Sequence, residues 1–311
     1  MPVPILLVTG FLGAGKTTLV NRILQQADGR RIAAVVNDFG AINIDAELIA
    51  GAEDGVVSLA NGCICCSLEG DLLRTLANLL RRTPRPEAIV IETSGVADPE
   101  DIIRNLMDPV IWREAPLETV LCVVDAAAPE AQLGDPLFLS QLRAADLLAV
   151  SKGDLVDKAS LDERCRSLSR INRRATLVEA PEGDVPLDLV FPEVGTARER
   201  ATRPKRPSLE RFESFNWTSR EPISLAGFQQ SFGRLAPRLI RAKGFLATIE
   251  KPDCQYLFQF AGGRATLVPL DRDELAQGTR IVFIAEIGRV TQTEIDQAMS
   301  RAALRNPSEG P

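Results

Sequence analysis

Residues 10–17 read Gly-Phe-Leu-Gly-Ala-Gly-Lys-Thr and follow directly on the apolar run Ile5-Leu6-Leu7-Val8-Thr9. Glycines at this spacing let a backbone turn tightly, so that successive N–H groups converge on one anionic group. A lysine and a hydroxyl at the end of the turn supply the charge and the magnesium ligand that a polyphosphate needs. A helix starting there adds its positive N-terminal end. The context is present: an apolar strand pattern before the turn and a helical pattern over Thr17–Gln26 after it. The stretch predicts a phosphate-binding loop. The backbone of Gly10, Gly13, Ala14, Gly15 and Thr18 cradles the phosphates, Lys16 reaches the β- and γ-phosphates, and Thr17 binds Mg2+.

Outward from this loop, short apolar runs alternate with helical patterns. Strands are expected over Ile5–Thr9, Ile32–Asn37, Ala88–Glu92, Val120–Asp125 and Leu147–Ser151, with further helices over Leu68–Arg82 and Leu137–Ala145. Apolar strands without alternation, separated by helices, predict a doubly wound α/β domain whose mostly parallel sheet is covered on both faces. Ligands on such sheets bind outside the carboxyl ends of the strands, so acids at those ends are candidates for chemistry. Glu92 closes one strand and is followed by Thr93-Ser94-Gly95. It is the expected acid for Mg2+ or its water shell, and the Gly95 N–H is available to a γ-phosphate. Asp125 closes another strand and stays open between a second functional acid and a solvated strand end.

The base is read from Ser151-Lys152-Gly153-Asp154. A carboxylate accepting from guanine N1–H and the exocyclic amine excludes adenine, which lacks that donor pair. Asp154 is the expected reader, with the Lys152 stem lying over the base, and GTP is the expected nucleotide. The usual first residue of this element is Asn, and here it is Ser151. Alone the tetrapeptide is only a turn; its position after the phosphate loop and one strand beyond Asp125 gives it meaning.

The chain has 311 residues, enough for two domains. Net charge is −6 and no basic run stands out, which disfavours duplex nucleic acid and anionic membrane as partners. The chain contains no histidine, so imidazole bases and imidazole metal ligands are excluded. No apolar run is long enough to span a membrane, and the first apolar stretch lacks a basic flank, so it reads as a buried strand rather than a leader. Six cysteines in a chain of this length fit a reducing cytoplasm better than a disulfide framework. Cys122, Cys165 and Cys254 are scattered and read as packed or inert.

Cys63, Cys65 and Cys66 are clustered in Asn-Gly-Cys-Ile-Cys-Cys. Thiolates favour Zn2+, Cu(I) or Co2+ over Mg2+. Three sulfurs do not close a tetrahedral site, so a fourth ligand comes from elsewhere: Asp38, Glu69, water or a partner protein. Such an open site suits a carrier. A redox-active dithiol and a buried inert turn are the alternatives.

From about Pro181 to Ser208, prolines, glycine and dense charge read as a linker. The expected division is a nucleotide domain over 1–190, a linker over 191–208 and a smaller α+β domain over 209–305. In that second part strands are expected over Arg211–Trp217, Phe245–Ile249, Gln255–Ala261, Ala265–Pro269 and Arg280–Ala285. Ser224 caps a helix with Leu225, Phe228, Phe232, Leu235 and Leu239 at helical spacing. Thr291 and Glu294 form a capping box for a last helix to about Leu304.

Five motifs in one order carry a resemblance. Gly10–Thr18, Asn37-Asp38-Phe39-Gly40 with Asn43-Ile44-Asp45, Gly62–Cys66, Glu92–Pro99 and Ser151–Asp154 closely resemble the CobW-like family of metallochaperone GTPases. These are relatives of the nickel-insertion GTPases of urease and hydrogenase maturation. Arg241–Phe245 and Ile281–Ile284 look like pieces of a CobW C-terminal domain. The resemblance implies a GTP-hydrolysing metallochaperone, with Lys16, Thr17 and Glu92 serving hydrolysis and Gly95, Lys152 and Asp154 contacting nucleotide. It makes Cys63, Cys65 and Cys66 ligands of Zn2+ or Co2+, released under nucleotide control to a client metalloprotein or a cobalamin-pathway enzyme. Homodimerisation is implied by analogy alone. Asp38 stands where many members carry Glu, and the histidine-rich tract of many members is missing, which argues against metal storage. A regulatory GTPase with a structural zinc and a small-molecule kinase are the rival readings.

Overall fold

Seven strands, every neighbouring pair parallel, form the sheet of the first unit in the order β3-β2-β4-β1-β5-β6-β7. The structure is a computed structural model that describes residues 2–27, 29–36, 56–58, 68–191, 212–261, 263–270 and 278–303. Along the chain these elements are β1 (Ile5–Thr9), α1 (Lys16–Gln25), β2 (Ile32–Val36), β3 (Val56–Ser58), α2 (Leu68–Leu80) and β4 (Ala88–Glu92). Then come α3 (Pro99–Leu106), α4 (Pro109–Glu114), β5 (Leu117–Asp125), α5 (Pro136–Ala144), β6 (Leu147–Ser151), α6 (Lys158–Ile171), β7 (Thr176–Glu179) and α7 (Leu187–Val190).

The strands are apolar throughout because both faces are covered. All residues of β1, β2, β4 and β6 are buried. On one face Ile5, Leu7, Val35, Ile89 and Ile91 pack with Leu72, Leu76 and Leu79 of α2 and Leu106 of α3. A second cluster joins Cys122, Val124, Leu148 and Val150 to Phe138 and Leu142 of α5 and Leu161 and Leu168 of α6. Asp98, Asp108 and Asp135 each precede a proline and accept a backbone N–H at the start of α3, α4 and α5. An acid at the cap and a proline with preset φ at the next position define those starts.

The first unit runs through Phe191 and the second from Pro192. The stretch from Pro181 to Phe191, which composition marks as linker-like, is packed onto the first unit. Ala180 donates its N–H to Val150 O at 2.8 Å, and Gln26 donates to Asp184 Oδ1 at 2.5 Å. Thr119 donates to Val190 O at 3.1 Å, and Val185, Leu187, Leu189, Val190 and Phe191 are buried. Proline and glycine here shape a packed return onto α1 and β5.

The second unit is a five-stranded antiparallel sheet in the order β11-β10-β9-β12-β8, with two α-helices among its described residues. Its elements are β8 (Phe212–Ser219), α8 (Leu225–Leu235), β9 (Arg241–Ala247), β10 (Gln255–Ala261), β11 (Arg264–Leu270), β12 (Thr279–Glu286) and α9 (Gln292–Ala303). Phe228 and Phe232 of α8 meet Phe258 edge-on at ring separations of 4.9 and 4.8 Å. Ser224 accepts from Gly227 N, and Thr291 with Glu294 makes the reciprocal capping box. Strand β9 begins four residues before the expected Phe245, because Arg241–Gly244 are paired to β10 and β12 on both sides. Among the described residues no helix is long and apolar enough to cross a membrane.

Candidate functional site

Strands β1, β4, β5 and β6 are consecutive neighbours in the sheet, and the residues at their carboxyl ends form one site. After β1 the chain turns through Gly10, Gly13 and Gly15, with φ of 139°, 75° and 95°. Residues with a β-carbon rarely adopt such values, so the turn needs glycine there. Ala14 N–H closes the turn on Phe11 O at 3.2 Å. Lys16 opens α1 with 7% of its surface exposed, and its Nζ donates to Phe11 O at 3.2 Å. A nearly buried ammonium folded over a glycine turn is arranged to meet an anion. Thr18 is exposed on the first turn of the same helix.

Thr17 faces the neighbouring strand. Its Oγ1 donates to Glu92 Oε1 at 2.7 Å, and Glu92, 3% exposed, ends β4. A hydroxyl and a carboxylate so placed offer oxygen donors of the kind Mg2+ takes. Beyond Glu92 the chain crosses the phosphate loop. A β-carbon added at Gly95 would lie 2.6 Å from both Leu12 N and Leu12 Cα, so the two backbones touch only because residue 95 is glycine.

The β6 end holds the loop from the other side. Ser151 Oγ lies 2.7 Å from Ala14 O and 3.2 Å from Val124 O. Lys152 Nζ donates to Gly13 O at 2.8 Å and to Asp125 Oδ2 at 2.7 Å. Lys152 itself sits at φ 55°, an unusual value for a residue with a side chain. Asp154 is exposed in the single turn Gly153–Leu155. The strand-end acid left open by the sequence is thus the ion-pair partner of Lys152, and Ser151 in the asparagine position is a tie to the phosphate loop.

Two contributions have no local signal in the sequence. Gly183 lies so close to Thr18 and Leu19 that a β-carbon there would reach 2.8 Å from Leu19 Cα. Gln141 of α5, fully buried, reaches the Gly95–Ala97 loop. The expected metal residues Cys63, Cys65, Cys66 and Asp38 lie outside the described residues. Cys122 is fully enclosed, and burial pushes its thiol up to about 12, the nearby Lys16 charge opposing this only in part. That suits an inert packing residue.

Comparison with known proteins identifies the family. Residues 4–179 match the family model described as CobW/HypB/UreG, nucleotide-binding domain, and residues 212–305 match the cobalamin synthesis protein cobW C-terminal domain. The chain belongs to the CobW family. A protein of Sinorhizobium sp named zinc chaperone CobW is 34% identical over 348 residues, covering 97% of this chain and 96% of that one. Zinc chaperone YjiA of Escherichia coli K12 is 39% identical over 197 residues, 61% of each. The crystal structure of Zn(II)-bound YjiA GTPase from E. coli aligns with a TM-score of 0.47 at 25% identity, over 97% of this chain and 99% of that one. Within this CobW-family chain the matched nucleotide domain contains the phosphate loop, Glu92 and the Ser151–Asp154 turn.

Proposed function

We propose that this GTPase is a metallochaperone that binds Zn2+ (or Co2+) at Cys63, Cys65 and Cys66 and hands it to a client metalloprotein under nucleotide control. The observation that carries the reading is the 2.7 Å contact between Thr17 and Glu92, which ties the end of the phosphate loop to the carboxyl end of β4. Relatives named zinc chaperones over nearly the whole chain support the cargo. In this reading the backbone of Gly10, Gly13, Ala14, Gly15 and Thr18 and the ammonium of Lys16 hold the phosphates. Thr17 and Glu92 hold Mg2+ or its water shell, Gly95 N–H faces the γ-phosphate, and Asp154 with Lys152 selects guanine.

Hydrolysis forms a bond from a water oxygen to the γ-phosphorus as the bond to the β–γ bridging oxygen breaks. The charge that builds on the phosphoryl and leaving oxygens is met by Lys16 and the loop N–H groups. Magnesium supplies further neutralisation of the β- and γ-oxygens when bound. No strong base is needed, so a chain without histidine can perform the step. Asp38 joins the three thiolates as a candidate fourth ligand, and loss of the γ-phosphate loosens the metal site.

Coupling requires the metal to bind the two nucleotide states differently; a ~100-fold ratio corresponds to ~2.7 kcal/mol. Titration of Zn2+ and Co2+ in the presence of GTP and of GDP tests this directly. Tighter binding with GTP is expected, and equal affinities would sink the coupling. Cys65→Ala should leave a folded protein that hydrolyses GTP and loads no client; a folding defect instead would point to a structural zinc.

A further inference from the structure

The segment between Glu92 and α3 is held from two sides. Gly95 presses on the Leu12 backbone of the phosphate loop. From the opposite side, α5 reaches it with consecutive side chains. Gln141 Nε2 donates to Gly95 O at 3.2 Å and to Ala97 O at 3.3 Å, while Ser140 Oγ donates to Asp98 Oδ1 at 2.8 Å. Asp98 in turn caps α3 through Glu100 N at 3.0 Å.

Gln141 is 0% exposed. With two carbonyl oxygens before it, its amide must present the NH2 group, which fixes its orientation. Its Oε1 is then buried without a hydrogen-bond partner among the described residues. A residue serving only to fill the space between α5 and the sheet would be apolar, since an orphaned buried acceptor is unfavourable. The amide is retained where both of its N–H groups are used, on the carbonyls flanking Val96.

We infer that Gln141 is a positioning residue for the γ-phosphate-sensing segment. It fixes the carbonyl of Gly95, one peptide beyond the N–H that faces the terminal phosphate, and so restricts the rotation about the Gly95 α-carbon that orients that N–H against the phosphate loop. The inference rests on the reading of this site as a GTPase. Gln141 acts through Gly95, whose carbonyl it holds. Its effect therefore falls on GTP, which carries the γ-phosphate, and spares GDP.

The test uses the full chain with Gln141→Met, which keeps the length and removes both donors, and Gln141→Asn, which keeps the amide and shortens its reach. Single-turnover hydrolysis and the dissociation constants of GTP and GDP are measured for each. The expected result is a fall in the hydrolysis rate of about tenfold and a similar fall in the GTP-over-GDP affinity ratio, with GDP affinity within about twofold of wild type. A variant that binds GDP normally and retains both rate and ratio overturns the inference, as does loss of GDP binding in both variants, which would make Gln141 a folding determinant. A wild-type chain that hydrolyses no GTP would instead remove the GTPase reading on which it rests.

Discussion

Replacing Asp125 by asparagine isolates the link between the base side of the site and the phosphate loop. The wild-type carboxylate serves two donors, Lys152 Nζ at 2.7 Å through one oxygen and Ala127 N–H at 2.8 Å through the other. An amide has one acceptor oxygen, so whichever way it faces, one donor is left opposite an NH2 group. The ion pair is only partly protected, with 38% of the Lys152 side chain and 21% of the Asp125 side chain exposed. A charge-assisted bond contributes roughly 1.5–3 kcal/mol when enclosed. Discounted for solvent at the lysine, about 1 kcal/mol is at stake, or about fivefold in dissociation constant. Because Lys152 braces the loop through Gly13 O, GDP and GTP should weaken by the same factor. Titration with fluorescent analogues of both nucleotides reads this. Unchanged affinities, or a loss confined to GTP, would refute the assignment of Lys152 and Asp125 as a strut for the loop.

Two further perturbations probe other parts. Gly95→Ala places a β-carbon 2.6 Å from Leu12 backbone atoms, so the two loops must separate; hydrolysis should fall by well over tenfold, with a drop in nucleotide affinity and melting temperature beside it, and a fully active variant would show that the contact is dispensable. In the second unit, the Arg238 hydrogen bond above all, then the Thr291 N–H, holds the Glu294 carboxyl below its ordinary value of 4.5. A depressed acid stabilises the fold at pH above its ordinary range and loses that contribution as pH falls through the lowered value. Arg238→Met should therefore raise the acid midpoint for unfolding of this unit, followed by circular dichroism, and coincident acid midpoints would contradict it.

The site elements legible in the sequence are those whose chemistry is local. The phosphate loop spells its turn in glycines, Glu92 declares itself by closing an apolar strand, and Lys152–Asp154 follows another. Helices α3 and α4, absent from the expected elements, were also within reach, since Asp98-Pro99 and Asp108-Pro109 are cap signals. Composition misleads at Pro181–Phe191, where prolines and a glycine suggest a tether. The partners that bury it, α1 and β5, lie far back in the chain and are invisible to a local reading. Gln141 is the extreme case. On α5 it is one amide among helical residues, and only the fold brings it to a loop 46 residues earlier. Serine at 151 looks like a lost motif residue until Ala14 O is seen 2.7 Å away.

The neighbouring strands β4, β1, β5 and β6 give the site a ruler. Strands lie about 4.8 Å apart, so three steps separate the Glu92 end from the Ser151 end by ~14 Å. The spacing between the two ends of the site thus follows from the pitch of backbone hydrogen bonding, a dimension that no side-chain substitution can retune.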